Sequence, residues 1–288
     1  MSAIAEFNVR HRLALKAYLW ACEEELRAFK PGNVSLHSEG HGMTVEDFRK
    51  SAAASAPALC NPALTLGEKI FHAIDATRAA VGCNTNLGIV LLAAPLIHAF
   101  LADESIVGLG LHAAVINVLQ NTTLEDADWV YRAIRLASPA GLGEVDDQDV
   151  AASPDVSLLE AMRLAGGRDS IARQYTDSFV DVFHQAVPLY HSRLSLWDDA
   201  EWATVAVFAW FLARYPDSHV ERKSGLQCAC EVSDRAAVLD AALTSTRSPQ
   251  KYFEVLRELD TDFKSRGVNP GTSADLTVAT LVVAALVS

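Results

Sequence analysis

Basic residues are in short supply. Lys and Arg number 24 against 36 Asp and Glu, which gives this 288-residue chain a formal charge of −12. An acidic surface repels nucleic acid and anionic lipid, so neither is expected as a partner. A phosphorylated small molecule could bind only through local cations, helix amino ends or a divalent metal. There are five cysteines, Cys22, Cys60, Cys83, Cys228 and Cys230, an odd number with no CxxC pair. That excludes a disulfide framework and a cysteine-held zinc, and it predicts reduced thiols in a cytoplasmic protein. The opening segment has no apolar signal core. The apolar stretch Leu276 to Val287 is too short to cross a bilayer, so no membrane association is expected. Glycine (15) and proline (10) are modest, and no low-complexity tract suggests disorder. Sustained alternation of apolar and polar residues is missing. So are GxGxxG, P-loop, GxSxG and HExxH motifs, which argues against the nucleotide folds built on glycine fingerprints. The nine histidines form no close ligand cluster.

What the chain has in quantity is apolar side chains, half of all residues, recurring at three and four. That spacing predicts an all-α protein of roughly ten helices, one domain over residues 1–288, with buried central helices. Leu15, Tyr18, Leu19, Cys22, Leu26 and Phe29 form one stripe, stopped by Lys30-Pro31-Gly32. Thr44 with Asp47, Thr123 with Asp126 and Ser157 with Glu160 have the spacing of caps. The helix after Ser157 is expected to last to about Val187, where Pro188 interrupts. A helix from Leu66 is stopped by Gly82. Ile89 to Ala102 and Glu201 to Arg214 are apolar on nearly every face. Ser233 to Leu243 reads as a short amphipathic helix, Ser248-Pro249 as the start of a helix to Arg266, and a last helix opens near Thr272. Pro139 to Asp155, Gly-rich and then acidic, is the longest irregular stretch and is expected to be a functional loop. Large apolar helices also predict a homodimer.

Four segments are more polar than plain connections need to be. Lys30-Pro31-Gly32-Asn33-Val34, with Ser35 and His37 beyond, sets a lysine beside a stiff turn whose amides suit a phosphate. The plain alternative is a helix stop with a surface lysine. Asp75 and Arg78 precede Gly82-Cys83-Asn84-Thr85-Asn86-Leu87-Gly88, where Asn84, Thr85 and Asn86 open a buried helix whose first amides attract an anion. A cap needs one such residue, not three; Asp75 and Arg78 could simply pair. In the segment of Arg168, Asp169, Arg173 and Gln174, the two arginines offer cations to offset phosphate charge, or Asp169 and Arg173 form an ordinary surface pair. Asn269-Pro270-Gly271-Thr272-Ser273-Ala274-Asp275 again presents amides, hydroxyls and a carboxylate at a helix start, although Asp275 suits the helix dipole with no function at all. Lys223, after Asp217-Ser218, is a further phosphate ligand or a solvated lysine.

Taken together and in this order, these segments resemble the triphosphoribosyl-dephospho-coenzyme A synthase family over nearly the full chain. The resemblance implies an all-helical fold and a transferase. In that family the ribose carbon of ATP passes to a ribose hydroxyl of dephospho-coenzyme A, and adenine leaves. It also implies Mg2+ with ATP as co-substrate. Positive charge developing at the sugar carbon calls for carboxylates, the acceptor hydroxyl for a base, and the triphosphate for magnesium and cations. On this resemblance Asp75, Asp169 and Asp275 are the catalytic candidates, and Asp75 and Asp275 also the metal ligands. Lys30, Arg168, Arg173 and Lys223 would contact phosphates, and Asn84, Thr85 and Asn86 would orient the nucleotide. Gly32, Asn33, His37, Arg78, Gln174, Asn269, Gly271, Thr272 and Ser273 complete the expected binding set.

The chain also departs from the family. Citrate-type members carry Lys-Pro-Gly-Leu-Val-Asp where Asn33 and Ser35 replace the leucine and aspartate, and Asn-Pro-Gly-Thr replaces a usual Gly-Gly-Ser form. These features resemble the branch of archaea and methyl-oxidising bacteria associated with one-carbon carriers. The alternatives are therefore an enzyme of methanofuran- or methanopterin-type cofactor assembly acting on another phosphorylated substrate, and a non-catalytic helical binding protein.

Overall fold

Short polar signals start many of the helices. Thr44, Thr65, Thr123 and Ser157 each accept a hydrogen bond from the backbone three residues on, and Asp47, Glu68, Asp126 and Glu160 reach back to close capping boxes. Each box satisfies two amide donors that a helix start leaves open. The computed structural model describes residues 3–102, 108, 110–138, 150 and 152–287, with side chains from Val9 onward. The expected functional loop lies outside the described residues except for positions 150 and 152–155.

The helices are α1 (Ala3–Arg27), α2 (Val45–Leu59), α3 (Leu66–Val81), α4 (Leu87–Ala102), α5 (Gly110–Gln120), α6 (Leu124–Ala137) and α7 (Leu158–Ala165). They continue as α8 (Ser170–Thr176), α9 (Val187–Trp197), α10 (Ala200–Arg214), α11 (Ser218–Ser224), α12 (Leu226–Ser245), α13 (Phe253–Ser265) and α14 (Gly271–Val287). Among the described residues there is no strand, only two isolated bridges in the turns after α1.

The count exceeds the ten expected, chiefly because the helix after Ser157 breaks. Gly166 and Gly167 weaken it, and Asp169 caps a new helix instead of continuing the old one. Ser178 and Phe179 then adopt left-handed backbone, and a π-turn at Val182–Ala186 leads into α9. Pro188 does not interrupt. It sits in the first turn of α9, where its missing N–H costs little. The short helix expected at Ser233 to Leu243 is the centre of the longer α12, which starts directly after Gly225. Ser248-Pro249 opens a 3-10 turn, Pro249–Tyr252, and no side-chain cap bond forms there.

Two helices apolar all round form the centre. Val90, Leu92 and Ile97 of α4 and Leu281, Val282 and Val283 of α14 are fully buried. Each such side chain contributes about 1.5–3 kcal/mol, so this layer anchors the rest. α14 packs against α1, α4 and α10, while α2, α3 and α6 stack outward on one side. α10 divides its faces. Val207 and Phe211 join the main core, and Val205, Phe208 and Leu212 join a second core with α12 and α13. The central pair matters for function because the amino ends of both helices open on the same cavity.

Candidate active site

That cavity holds about 750 Å3, well within the size of small-molecule sites. Its polar wall comes from helix starts: Asn84 to Gly88 before and in α4, Asp169 at α8, His219 and Arg222 of α11, and Asn269, Gly271, Thr272 and Asp275 at α14. Its apolar wall comes from α6 and α7, including Tyr131, Ile134, Leu158 and Met162.

The helix starts are tied to one another by carboxylates. Asp169 Oδ1 accepts from the amides of Ile171 (2.8 Å) and Ala172 (3.0 Å), and its Oδ2 accepts from Arg222 Nη1 at 2.5 Å. Asp217 Oδ1 accepts from the amides of His219 (2.9 Å) and Val220 (3.1 Å), and its Oδ2 from the amide (2.7 Å) and hydroxyl (2.8 Å) of Ser273. Thr272 Oγ1 accepts from the His219 amide at 3.2 Å. Three chain segments far apart in sequence thus share one hydrogen-bond lattice. Arg168 lines the same cavity, is exposed, and has no ion pair among the described residues.

Asp275 sits just past the first turn of α14, against the first turn of α4. Only glycine fits opposite it. A Cβ on Gly88 would stand 2.0 Å from Asp275 Oδ2 and 2.8 Å from Ile171 Cδ1. The Asp275 carboxyl has no hydrogen-bond partner among the described residues, opens to the cavity, and is otherwise enclosed by protein. Burial pushes its pKa well above the usual carboxylate range, the charges of Glu25 and Asp217 add to this, and Arg222 opposes it. The group therefore favours its protonated form.

Glu25 lines the cavity from α1 and is paired with Lys30, Nζ to Oε1, at 3.2 Å. Both side chains are buried; burial pushes Glu25 up and Lys30 down, and their pairing opposes both shifts. Lys30 Nζ also donates to the carbonyls of Glu25 (2.6 Å), Ala28 (3.2 Å) and Val34 (3.0 Å). Those bonds engage all its donors, so Lys30 holds the turn after α1 and has nothing left for a phosphate.

Of the expected site residues, the fold gathers Asn33, Asn84, Thr85, Asn86, Arg168, Asp169, Asn269, Gly271, Thr272 and Asp275 around the cavity. Within that set, Asn84 Oδ1 accepts from the Leu87 amide at 3.1 Å, and Thr85 and Asn86 bond to Ser51 and Ser55 of α2. They brace the start of α4. The remaining expected residues do not line it. Asp75 and Arg78 are exposed on α3, so Asp75 and Asp275 do not come together as a metal pair. Gly32 packs under Pro270, and His37 stacks on Phe29 with its Nε2 2.7 Å from Glu201. Arg173 and Gln174 both donate to Asp181, at 3.1 and 3.3 Å. Lys223 donates to the Gly267 carbonyl at 3.3 Å, and Ser273 is held by Asp217.

Sequence reasoning missed Glu25, Gly88, His219 and Arg222. Arg222 had a signal: it lies four residues after Ser218, on the face of α11 that turns inward, whereas Lys223 is one step round the helix. Glu25 had one as well: it lies three residues after Cys22 and four before Phe29, on the apolar stripe of α1.

A family model for ATP:dephospho-CoA triphosphoribosyl transferase (CitG) matches residues 12–288. The chain belongs to this family. It is accordingly a transferase of the CitG type, and the all-α expectation drawn from its sequence agrees with that membership. Among solved structures, a protein from Archaeoglobus fulgidus provisionally named triphosphoribosyl-dephospho-CoA synthase is similar. The two share 25% identity and a TM-score of 0.65, over 83% of this chain and 98% of that one. No curated protein matches the sequence. Among the described residues no helix is long and apolar enough to cross a membrane.

Proposed function

We propose that this transferase moves the triphosphoribosyl group of ATP onto a ribose hydroxyl of dephospho-coenzyme A in the cavity between α4 and α14. The C1′–N9 bond of ATP breaks, a C1′–O bond forms, the acceptor hydroxyl loses a proton and adenine gains one. The observation that carries the reading is Asp275, a carboxyl whose pKa burial pushes well above the usual range and which stands free of protein partners in the cavity. Such a group suits the donation of a proton to the departing base. Asp169 is an unlike carboxylate, fixed by two amides and Arg222. It suits the role of orienting Arg222 toward a phosphate.

The triphosphate end is assigned to Arg168, Arg222 and the open amides at the starts of α4 and α14. Helix amino ends and arginine forks together favour an anion in spite of the chain's negative charge. The apolar wall of α6 and α7 suits the pantetheine arm of the acceptor. The described residues do not build a cage for a divalent ion: no group of three His, Cys, Asp or Glu side chains has metal-binding geometry. Mg2+ would therefore enter on the triphosphate itself.

The test is direct. Purified protein incubated with Mg–ATP and dephospho-coenzyme A should release free adenine in equal amount to a product heavier by the triphosphoribosyl group, both read by liquid chromatography and mass spectrometry. Release of ADP or AMP without adenine would overturn the proposal.

A further inference from the structure

One recognition device in the cavity is left unused by the transfer chemistry. Asn33 follows the turn after α1, and Asn269 precedes Pro270 at the start of α14. They meet because Gly32, at φ +81°, lies so close to Pro270 that a Cβ would be 2.9 Å from its Cδ. Asn33 Nδ2 donates to Asn269 Oδ1 at 2.8 Å. Both residues are 7% exposed, and both line the cavity. The other half of each amide, Asn33 Oδ1 and Asn269 Nδ2, has no protein partner among the described residues. Turning both amides over keeps their mutual bond and again leaves one acceptor and one donor, so the pattern does not depend on how the amide atoms are assigned.

These free atoms face the cavity, and a ligand that displaces water from them must replace its hydrogen bonds. The unmet pattern selects its ligand. A phosphate offers only acceptors and would face the pair's free acceptor. A cation would face its free donor. A secondary amide holds its N–H and C=O on opposite sides, so it cannot meet both at once. An amino-purine edge carries a donor and an acceptor side by side in one plane, the pattern asparagine reads on adenine elsewhere. We infer that the Asn33–Asn269 amide pair recognises the amino edge of an adenine, which ATP and dephospho-coenzyme A both carry, and that it reads the donor's, and so sets which nucleotide this transferase accepts. The inference rests on the reading of the site as ATP-using.

The test compares ATP with purine ribonucleoside triphosphate, which lacks the exocyclic amino group. Affinity for each is measured by titration calorimetry on the wild type, Asn33→Ala and Asn269→Ala, alongside the adenine-release assay on the wild type. The wild type should prefer ATP by about tenfold or more, the cost of leaving a buried donor or acceptor unpaired. The variant that removes the free acceptor, Asn33→Ala as the amides stand, should bring the preference within about twofold, because only ATP has the amino group it meets; the variant that removes the free donor, Asn269→Ala, should weaken both nucleotides alike, because both keep the ring nitrogen it meets. A merely structural role would lower both affinities together and keep their ratio in both variants, which would overturn the inference. A wild-type ratio near one would do the same without any variant, so a variant that fails to fold does not shield it. Loss of dephospho-coenzyme A affinity with the nucleotide ratio intact would also overturn it, by giving the pair to the acceptor. The two readings fail separately. Adenine release with an unchanged ratio in both variants removes the amide pair and keeps the reaction. Discrimination that one variant abolishes, with no adenine released, keeps the pair and removes the reaction.

Discussion

Gly88→Ala tests the contact between α4 and α14 that holds Asp275 in the cavity. The added Cβ would stand 2.0 Å from Asp275 Oδ2, 2.6 Å from its Cγ and 2.8 Å from Ile171 Cδ1, where real Cβ atoms stay beyond 3.0 Å. The Asp275 carboxyl must therefore retreat by about 1 Å, the difference between 3.0 and 2.0 Å. A misplacement of that size costs on the order of 100-fold in rate when the displaced group takes part in the chemistry. Overpacking costs about 1–3 kcal/mol, and the better helix propensity of alanine returns up to about 1 kcal/mol. The expected variant is folded, melts a few degrees lower, and releases adenine about 100-fold more slowly. Gly110→Ala is the control, since a Cβ there meets nothing within 4 Å. A second cycle isolates the cause. Asp275→Ala removes the group that the new methyl strikes, so the double variant Gly88→Ala/Asp275→Ala should be more stable than the sum of the single effects predicts, by about 0.5–3 kcal/mol. Strict additivity, or a Gly88→Ala enzyme with wild-type melting and turnover, would refute the argument.

Three further outcomes follow from the same geometry. Lys30→Met leaves Glu25 buried without its cation and three carbonyls without a donor; it should destabilise the fold by about 3–5 kcal/mol in denaturant titration, and a loss under 1 kcal/mol would contradict the buried ion pair. Arg222→Ala should raise the KM for ATP by about 10–100-fold, while Lys223→Ala, whose ammonium meets Gly267 off the cavity, should change it less than about twofold; equal effects would argue against the assigned phosphate end. Burial holds His98 at about 4 against an ordinary 6.5, and its Nδ1 is buried without a partner. The unfolded chain then binds the extra proton between those values, so stability is present above about 6.5 and is lost as pH falls toward 4. His98→Leu should flatten that part of the curve, and an unchanged slope between pH 6.5 and 4 in guanidinium titrations would assign acid lability elsewhere.

Residue pairs within one turn were the most legible part of the chain. Thr44–Asp47, Thr123–Asp126 and Ser157–Glu160 form the caps their spacing predicts, because a capping box needs only the four residues that make it. The apolar stretches of α4, α10 and α14 are buried as their composition requires. The continuous helix expected after Ser157 failed because Asp169 has a better use as a cap shared with Arg222, a partner 53 positions away in sequence. Pro188 misled for a related reason: a π-turn ahead of it absorbs the missing donor.

The amino-acid sequence alone determined the all-helical class, the places where most helices begin, and the family, since these rest on local hydrogen bonds, apolar period and short motifs in order. It could not say which polar side chain of a motif serves a ligand and which serves the fold. Lys30 looks like a phosphate ligand in its own segment and is a buried strut in the molecule, because Glu25 one turn earlier faces the same space. Asn33 and Asn269 look like two separate turn residues and become one recognition edge only when Gly32 admits Pro270 beneath it. Folded geometry decided those roles, because a buried donor takes whichever acceptor the fold brings within about 3 Å, within five residues for Lys30 and across 236 positions for Asn33 and Asn269.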